Sequence, residues 1–468
     1  MELSTSFVRL RFSRPEEGGD QVGMKPSKYN KLFEVGNGLI LAYNTLSGAM
    51  AHLTSEQYKK VQELLAQCVE LQANSGENDA YLNFLIEGRF LIDEDVDELD
   101  ILKARNLVGK FTQDKLGVTV IPTLNCNFRC VYCFIEHRNE TMGSEVRENL
   151  VDWVRAQMRH RRRLEVGWFG GEPLLCLDII RELTAKFRQI CQERGCEYSA
   201  GMASNGYLLI GDVSRELKEL GITDIQVSLD GPARIHNRRR ALAGGGPTFD
   251  VIISNLTDLI NEGGITLSVY PVVDKETAEG IYELIDILVE AGIHDKLIFN
   301  PQNVQPSPFN DLSCLGGDVP STAEFAEIRA DALIYASQRG FKIDPPYVLC
   351  QACPIHNINS FMISPQGKLF KCGSFLRPED CIGYLDPNHS EKAHIDFVNL
   401  WKWVGADPFE DEQCCECDVL PLCMGGCHAL RELTSKKDGH CIYYRYNLEK
   451  ELVERYGKAV DPAILTAL

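Results

Sequence analysis

The chain has 468 residues, of which 44% are hydrophobic and 25% charged, so it has ordinary globular composition and is too long for one compact core. Its 67 acidic and 48 basic residues give a formal charge of −19, which disfavours nucleic acid as a partner because phosphate binding requires concentrated positive charge. The sequence has no signal peptide and no uncharged apolar run of membrane-spanning length, so we expect a cytoplasmic protein with no membrane partner. Thiols stay reduced in that compartment, and metal ligation becomes the leading explanation for most of the 18 cysteines.

The N-terminal part of the chain predicts a small α+β unit. Residues 31–53 form two or three short strand-like runs, punctuated by Gly-Asn-Gly and Ser-Gly turns. Amphipathic helices are predicted over residues 54–67 and 78–91. The acidic run at residues 92–100 is typical of an exposed linker, which would end the unit near residue 100.

From residue 115 the pattern changes to alternating strands and helices. Strands are predicted at residues 116–123, 164–171, 198–206, 224–231, 267–274 and 296–302, with helices between them. Six such repeats predict a parallel sheet, curved or closed, with its chemistry at the carboxyl ends of the strands. Beyond residue 345 the alternation stops and cysteines crowd in, so we expect this last region to need metal for its stability.

Three cysteines, Cys126, Cys130 and Cys133, directly follow the first predicted strand of this sheet. The last two alone form a CxxC pair, which fits half a zinc site or a redox pair. Three thiolates on one loop instead satisfy three corners of a 4Fe–4S cubane and leave one iron open. A fourth ligand from elsewhere in the chain is the alternative, and it would close the site.

The CxxxCxxC spacing, with aromatic Tyr132 before the last cysteine, resembles the radical S-adenosylmethionine (SAM) superfamily. The resemblance implies a partial (β/α)6 barrel in which the open iron chelates SAM and one electron cleaves it to a 5′-deoxyadenosyl radical. Motifs that resemble the family's SAM contacts follow in family order. They are Gly170, Gly171 and Glu172 for the methionine amine, Ser204, Asn205, Ser228 and Asp230 for the ribose and carboxylate, and Arg240 for the carboxylate.

Each of these segments, taken alone, is also an ordinary turn or a solvated side chain. The order in which they occur behind the cysteines is what favours the functional interpretation. The sequence departs from the family on the fifth strand, where relatives often carry an arginine and this chain has Tyr270. Carboxylate binding would then fall to Arg240 or a neighbour.

The downstream cysteines resemble the seven-cysteine SPASM pattern. By that resemblance, Cys350, Cys353, Cys372 and Cys427 hold a first auxiliary 4Fe–4S cluster, and Cys414, Cys417, Cys423 and Cys441 hold a second. The protein would then contain three clusters in total, and two zinc sites are the alternative. Cys350 is the least secure ligand because its spacing from Cys353 is shorter than in relatives, and without it the first auxiliary cluster would offer an open iron.

The remaining cysteines carry weaker expectations. Cys68, Cys176 and Cys191 are expected to be buried hydrophobic side chains. Cys415 adjoins a ligand and is an alternative to Cys414. Cys314 lies in a loop where a thiol can handle substrate, although an inert role is the more ordinary expectation.

The N-terminal unit, with its YNTLSGAM segment at residues 43–50, resembles the winged-helix-like domains that recognise leader peptides in peptide maturases. This resemblance divides the chain into a leader-recognition domain (1–105), a radical SAM partial barrel (106–310), a bridging region (311–345) and a SPASM domain (346–468). A structural cap on the barrel is the alternative role for the first domain.

The implied function is radical SAM crosslinking of a ribosomally synthesised precursor peptide, with a Cys thioether to a carbon of another residue as the expected product. The partners would be that peptide with its leader and an external electron donor such as flavodoxin or ferredoxin. A sulfatase-maturase type of dehydrogenase is disfavoured by Gly373 after Cys372 and by the long N-terminal region. A maturase that forms a carbon–carbon crosslink and a non-catalytic iron–sulfur or zinc scaffold are competing hypotheses.

Overall fold

The computed structural model describes residues 23–36, 38–66, 77–310, 312, 319–343, 346, 348–349, 353–433 and 440–456. Cys68, Cys314 and Cys350 lie outside the described residues, so the expectations for them stay predictions. Within the described ranges, no helix combines the length and the apolar character needed to cross a membrane.

The strands of the described residues are β1 Met24–Pro26, β2 Asn30–Gly36, β3 Leu39–Asn44, β4 Met50–Thr54, β5 Leu91–Asp93, β6 Lys115–Val120, β7 Arg163–Trp168, β8 Glu197–Ser204, β9 Ile222–Val227, β10 Thr266–Val269, β11 Val272–Val273, β12 Leu297–Phe299, β13 Gln302–Asn303, β14 Ser360–Ile363, β15 Lys368–Phe370, β16 Gly383–Leu385 and β17 Ala393–Ile395.

The α-helices are α1 Ser55–Ala66, α2 Glu77–Glu87, α3 Glu98–Phe111, α4 Ser144–Gln157, α5 Leu177–Arg194, α6 Gly211–Glu219, α7 Ala233–Arg239, α8 Phe249–Glu262, α9 Lys275–Glu290, α10 Thr322–Gln338, α11 Phe397–Val404, α12 Glu412–Cys415, α13 Leu420–Cys423, α14 His428–Leu433 and α15 Tyr444–Tyr456.

The predicted parallel sheet is confirmed. Strands β6, β7, β8, β9, β10 and β12 lie side by side in chain order and are parallel, with helices between consecutive strands. Along β6, buried Leu116, Val118 and Val120 alternate with partly exposed residues, because successive side chains of a strand point to opposite faces. The buried set packs into the main hydrophobic core together with helices such as α4 and α5. The other set lines the inside of the curve.

The C-terminal region is joined to this sheet, which the sequence did not predict. Strand β14 pairs in parallel with β6, and β15, β16 and β17 then follow antiparallel, so the sheet continues past the first barrel strand. The apolar residues Ile363, Phe375 and Trp403 belong to the same core as the barrel strands. The region therefore has more packed core than its irregular sequence indicates.

The N-terminal region contains the antiparallel sheet β2–β3–β4, with α1 and α2 packed on one face. Its other face presents Phe33, Leu41 and Tyr43 to an apolar cluster that includes Leu422 and Leu452 of the C-terminal region. Polar contacts join the same two regions, including the Thr45 hydroxyl donating to the Asp418 carbonyl at 2.7 Å. The N-terminal sheet is thus packed directly on the cysteine-rich region.

The expectation of an exposed linker at residues 92–100 is wrong for much of that run. Strand β5 pairs with β1, and Asp97 caps the start of α3 by accepting the Leu99 N–H at 2.8 Å. Glu98 is 6% exposed and accepts hydrogen bonds from Ser27 and Lys28. Acidic side chains suit this position because a helix N-terminus favours negative charge, an effect that charge counting alone misses.

Candidate functional site

Cys126, Cys130 and Cys133 lie on the loop that leaves the carboxyl end of β6. Their thiols interact electrostatically with one another, and burial raises the pKa of all three, that of Cys130 to about 12. Buried thiols at such pKa values hold their protons, so a metal that binds here must displace them. The structure therefore brings the three predicted ligands together, with Cys126 buried and Cys130 and Cys133 partly exposed.

His137 is a possible fourth ligand that the sequence reasoning did not weigh, and its Nε2 lies 3.5 Å from the Cys133 sulfur. Ligand atoms around a single zinc ion lie within about 4 Å of one another. In the part of the chain that the structure describes, one group of His, Cys or carboxylate side chains has all its ligand atoms within 4.8 Å, and it contains none of these four residues. The spacing on this loop is thus wider than one ion requires.

Two glycines allow the loop after β7 to lie against the cysteine loop. Gly170 has a φ of +137°, and a Cβ there would meet the Thr123 carbonyl oxygen at 2.5 Å. A Cβ on Gly171 would meet the Asn125 carbonyl oxygen at 2.1 Å. Any side chain at either position would push the two loops apart, so these glycines set the position of the loop that begins with Cys126.

Glu172 joins the ends of β7 and β8 beneath this loop. Its fully buried carboxylate accepts hydrogen bonds from the Leu174 N–H at 3.1 Å, the Ser204 hydroxyl at 2.9 Å and the Asn205 N–H at 2.8 Å. Burial raises the pKa of Glu172 to about 7. The Asn205 side chain donates to the Asn127 side-chain oxygen at 2.7 Å and lies 3.9 Å from the Cys126 sulfur. The structure thus brings these predicted SAM contacts together around the cysteine loop.

A second buried network surrounds Tyr132. Its hydroxyl donates to the Asp230 carboxylate and accepts from the Arg240 guanidinium at 2.6 Å. Arg239 pairs with the Asp274 carboxylate, and its Nε lies 3.5 Å from Asp230. Burial lowers the pKa of Arg240 and the neighbouring negative groups raise it, with a net rise well above its ordinary value. The network holds the aromatic side chain rigidly beside the cysteines.

Arg239 and Asp274 were not among the residues that the sequence indicated. Residues 238–240 form an arginine run, and nothing in its spacing shows that Arg238 is exposed while the other two are buried. Only the packing of α7 separates these three side chains. Buried charges that are paired in this way fix side-chain positions, and breaking one partner is costly.

A cavity of about 340 Å³ lies inside the curved sheet. It is lined by the strand residues that alternate with the helix-facing set, among them Thr119, Gly201, Gln226 and Ser268. Tyr270, which stands where relatives often have arginine, is also in the lining. Ser228 is partly buried just beyond β9. The volume falls within the range of about 300–1,000 Å³ typical of small-molecule sites.

The first C-terminal cysteine group consists of Cys353, Cys372 and Cys427, whose thiols interact electrostatically. Burial raises the pKa of each, that of Cys372 to about 12. The predicted fourth ligand, Cys350, lies outside the described residues, so its assignment stays a prediction. Trp403 of α11 packs on His428 and Phe375, which adjoin this group.

The second group consists of Cys414, Cys417, Cys423 and Cys441, which line one small cavity. The Cys423 thiol interacts electrostatically with the other three. Asp411 and His440 were not identified from the sequence, yet their ligand atoms and the Cys414 sulfur all lie within 4.8 Å of one another. Cys415, the alternative to Cys414, instead donates to the Phe409 carbonyl at 3.3 Å and does not line the cavity.

Residues 120–288 match the model of the Radical SAM superfamily. The matched range begins at the end of β6 and contains the cysteine loop, both glycines and the Tyr132 network. Residues 120–288 therefore form a radical SAM domain, and the comparisons support a radical SAM enzyme.

Two curated relatives and one solved structure extend this comparison. The cysteine-type anaerobic sulfatase-maturating enzyme of Clostridium novyi is 24% identical over 66% of this chain and 86% of its own length. The radical SAM cyclopropyl synthase TigE of Paramaledivibacter caminithermalis is 21% identical over 89% of this chain and 91% of its own. The structure of native anSMEcpe with bound AdoMet and Cp18Cys peptide covers 76% of this chain and 99% of its own, with a TM-score of 0.55 and 16% identity.

A radical SAM domain implies SAM and one 4Fe–4S cluster. The residues present fit both groups, because three thiols converge on one loop without the close spacing of a single-ion site, and the predicted SAM contacts Asn205 and Arg240 lie beside that loop. Hydrogen bonds to cluster sulfurs and burial set the properties of such clusters, and the loop supplies both.

Proposed function

We propose that this enzyme is a maturase that crosslinks a ribosomally synthesised precursor peptide, joining a cysteine sulfur to a carbon of another residue. The observation that carries the proposal is the group of Cys126, Cys130 and Cys133 at the end of β6, accompanied by two further thiol groups. The relatives support a macromolecular substrate, since one matures a sulfatase and the similar fold of anSMEcpe was solved with a peptide.

When bound, SAM and its cluster supply hydrogen-atom abstraction from carbon. The protein itself positions the cysteine loop and the SAM contacts and excludes water from them. Gly170 and Gly171 allow the cysteine loop to lie close against the loop after β7, and Glu172 hydrogen-bonds the residue that follows β8. Hydrogen bonds to Asp230 and Arg240 fix the position of the Tyr132 ring. We assign SAM contacts to this set and to Ser228, and the cluster ligands to the three cysteines. Holding the reactants in a fixed geometry is the main way in which a protein accelerates such chemistry.

We propose that the C-terminal thiol groups hold two auxiliary 4Fe–4S clusters. Cys353, Cys372 and Cys427, with Cys350, would hold the first, and Cys414, Cys417, Cys423 and Cys441 the second. The support is that the described thiols associate in these two sets and no others within the described part of this region. We expect an external flavodoxin or ferredoxin to supply electrons.

We also propose the division into residues 1–105, 106–310, 311–345 and 346–468, with helix α3 running across the first boundary and α10 filling much of the bridging region. The first unit would recognise the leader peptide. Strand β4 is an edge of its sheet, and α1 follows it directly, which leaves main-chain groups for an added strand. The match to TigE spans 89% of this chain and therefore extends beyond the barrel, which supports a functional role for the N-terminal unit.

The deciding experiment is anaerobic reconstitution followed by reaction with a candidate peptide encoded beside the gene. We expect about twelve irons per chain, SAM cleavage on reduction, and a peptide that has lost two hydrogens. Thiol alkylation then separates the products, because a thioether consumes a cysteine and a carbon–carbon crosslink does not. A full complement of iron with SAM cleavage but no mass change would exclude the crosslinking proposal.

A zinc-binding scaffold is the second candidate, and one observation favours it. Asp411, Cys414 and His440 have the mutual spacing that one metal ion needs. Metal analysis of protein purified without oxygen separates the two. Zinc at two or more equivalents with no iron and no SAM cleavage would support the scaffold, whereas iron with the absorption of 4Fe–4S clusters would exclude it.

A further inference from the structure

The second auxiliary cysteine group differs from the first in the charge of the groups that contact its sulfurs. The Arg431 guanidinium Nη2 lies 3.2 Å from the Cys414 sulfur, and the Arg445 Nη1 lies 3.3 Å from the Cys441 sulfur. Two cationic donors from two different helices, α14 and α15, therefore reach sulfurs of the same set.

At the three described thiols of the first group the hydrogen-bond donors are neutral. The Cys353 thiol receives a backbone hydrogen bond from Ile355, Cys372 receives backbone and hydroxyl hydrogen bonds from Ser374, and Cys427 receives backbone hydrogen bonds from Ala429 and Leu430. The cation Lys371 acts on Cys353 through space, but its ammonium donates to the carbonyl oxygens of Asn357 and Ser360.

Each arginine therefore places its positive charge in direct contact with a sulfur of the second group, Arg431 at Cys414 and Arg445 at Cys441. A nearby cation that stabilises a thiolate also stabilises the more negative, reduced form of a thiolate-bound cluster. Two carboxylates oppose this effect. Asp411 accepts from Arg431 at 3.2 Å and acts on Cys414, and Asp418 acts on Cys417.

Resting on the proposed assignment of the second auxiliary cluster, we propose that Arg431 and Arg445 are redox-tuning residues that raise the reduction potential of that cluster above that of the first. Arg431 is held for this role by its bonds to Asp411 and to the Gly425 carbonyl at 3.0 Å. The second site is then the more easily reduced of the two.

The test is a potentiometric titration followed by electron paramagnetic resonance, on full-length protein in which Cys126, Cys130 and Cys133 are replaced by Ala to remove the signal of the barrel cluster. In R431Q and in R445Q the ratio of reduced to oxidised second cluster, at a fixed potential, should fall by about tenfold, which is 59 mV for a one-electron couple. D411N removes a negative charge beside the same cluster, so it should shift the same ratio upward.

Two controls make the result specific. Arg377 pairs with Asp380 in the same region and contacts no cysteine sulfur, so R377Q removes an equal charge and should leave the ratio unchanged. R445K keeps the charge and should retain most of the wild-type ratio. Because Arg431 also supports the Gly425 loop, R445Q serves as the independent variant if R431Q does not fold.

The outcomes separate the two levels of the proposal. Unchanged ratios in R431Q and R445Q, with full iron content, would overturn the tuning role and leave the cluster assignment intact. A wild-type protein whose second site holds zinc, or holds no iron under anaerobic reconstitution, would overturn the cluster assignment itself. A shift in R377Q equal to that in R445Q would also overturn the tuning role, since it would show a general charge effect.

Discussion

The cysteine group of the barrel and the first group of the C-terminal region are assembled in opposite ways. Cys126, Cys130 and Cys133 come from eight consecutive positions on one loop, whereas Cys353, Cys372 and Cys427 come from three separate segments. The loop is placed by glycines and by neighbouring strand ends, whereas Cys372 follows β15, Cys427 precedes α14, and both pack against the main core. A local site tolerates loose surroundings, and a distributed site depends on the tertiary structure around it.

The largest effect is expected on the barrel side. Replacing Cys130 with Ala removes one of three thiols on the loop, so SAM cleavage should fall to background and about four irons should be lost. The measurement is anaerobic 5′-deoxyadenosine release with iron analysis. Cys191, a buried core thiol in α5, provides the control, and C191A should retain cleavage. Residual cleavage in C130A above one per cent of wild type would contradict the ligand assignment.

On the C-terminal side, replacing Cys427 with Ala should uncouple the two activities. SAM cleavage should persist because the barrel loop is intact, and the modified peptide should disappear because an auxiliary site is lost. Mass spectrometry of the peptide beside 5′-deoxyadenosine quantification reads both. Cys381, whose thiol donates to the Gly383 carbonyl at 3.0 Å, is the control, and C381A should form product. Full product formation by C427A would show that the first C-terminal group is dispensable.

Packing as well as metal should stabilise the C-terminal region, and Glu451 tests this. Its buried carboxylate pairs with Arg329, which joins α15 to α10. Glu451→Gln leaves the guanidinium without its counter-charge, so the free energy of unfolding should fall by about 3–5 kcal/mol. Urea denaturation measures the change. Lys450 on the same helix pairs at the surface with Glu327 and Asp331, so K450A should cost about 0–1 kcal/mol. Equal costs would contradict this picture.

On the barrel side, the pH dependence of the free energy of unfolding tests the role of Glu172. Its folded-state pKa of about 7 lies above the ordinary value of 4.5, so the folded protein binds this proton more tightly than the unfolded chain. The stabilisation that this raised pKa gives the folded state is fully present below pH 4.5 and is lost as the pH rises to about 7. Relative to wild type, E172Q should therefore gain on the order of 3 kcal/mol of stability between these limits and no more above them. Chemical denaturation at pH 5, 6, 7 and 8 tests it, and a difference independent of pH would contradict it.

The smallest expected effect concerns the N-terminal sheet. The Asn44 N–H bonds the Ala49 carbonyl, and the Thr54 N–H bonds the Gln57 side chain, so by antiparallel alternation the N–H of Met50 points away from β3. Met50→Pro removes an outward donor while sparing the ladder. Leader-peptide affinity should fall about tenfold in M50P and stay near wild type in M50A, measured by fluorescence anisotropy. Unchanged affinity in M50P would place the leader elsewhere.

Much of the barrel could be predicted because its signals are local. Helix α4 lies between the first two strands, as predicted, and each of the six predicted strands overlaps an observed one. The acidic run at 92–100 shows where local reasoning fails, since Glu98 is drawn into a buried hydrogen bond by its position at a helix start. Charge and periodicity describe a segment by itself and carry no information on what it packs against.

The alternation of strands and helices and the three-thiol loop behind the first parallel strand could be predicted from the sequence, because strand periodicity and ligand spacing are properties of neighbouring residues. Other features are visible only in the folded structure. Strand β14 extends the barrel sheet, and Arg239 is buried while Arg238 is not. Arg431 and Arg445 contact the sulfurs of one cysteine group. These features depend on contacts between residues far apart in the chain, where burial and charge are set by the surroundings and not by spacing.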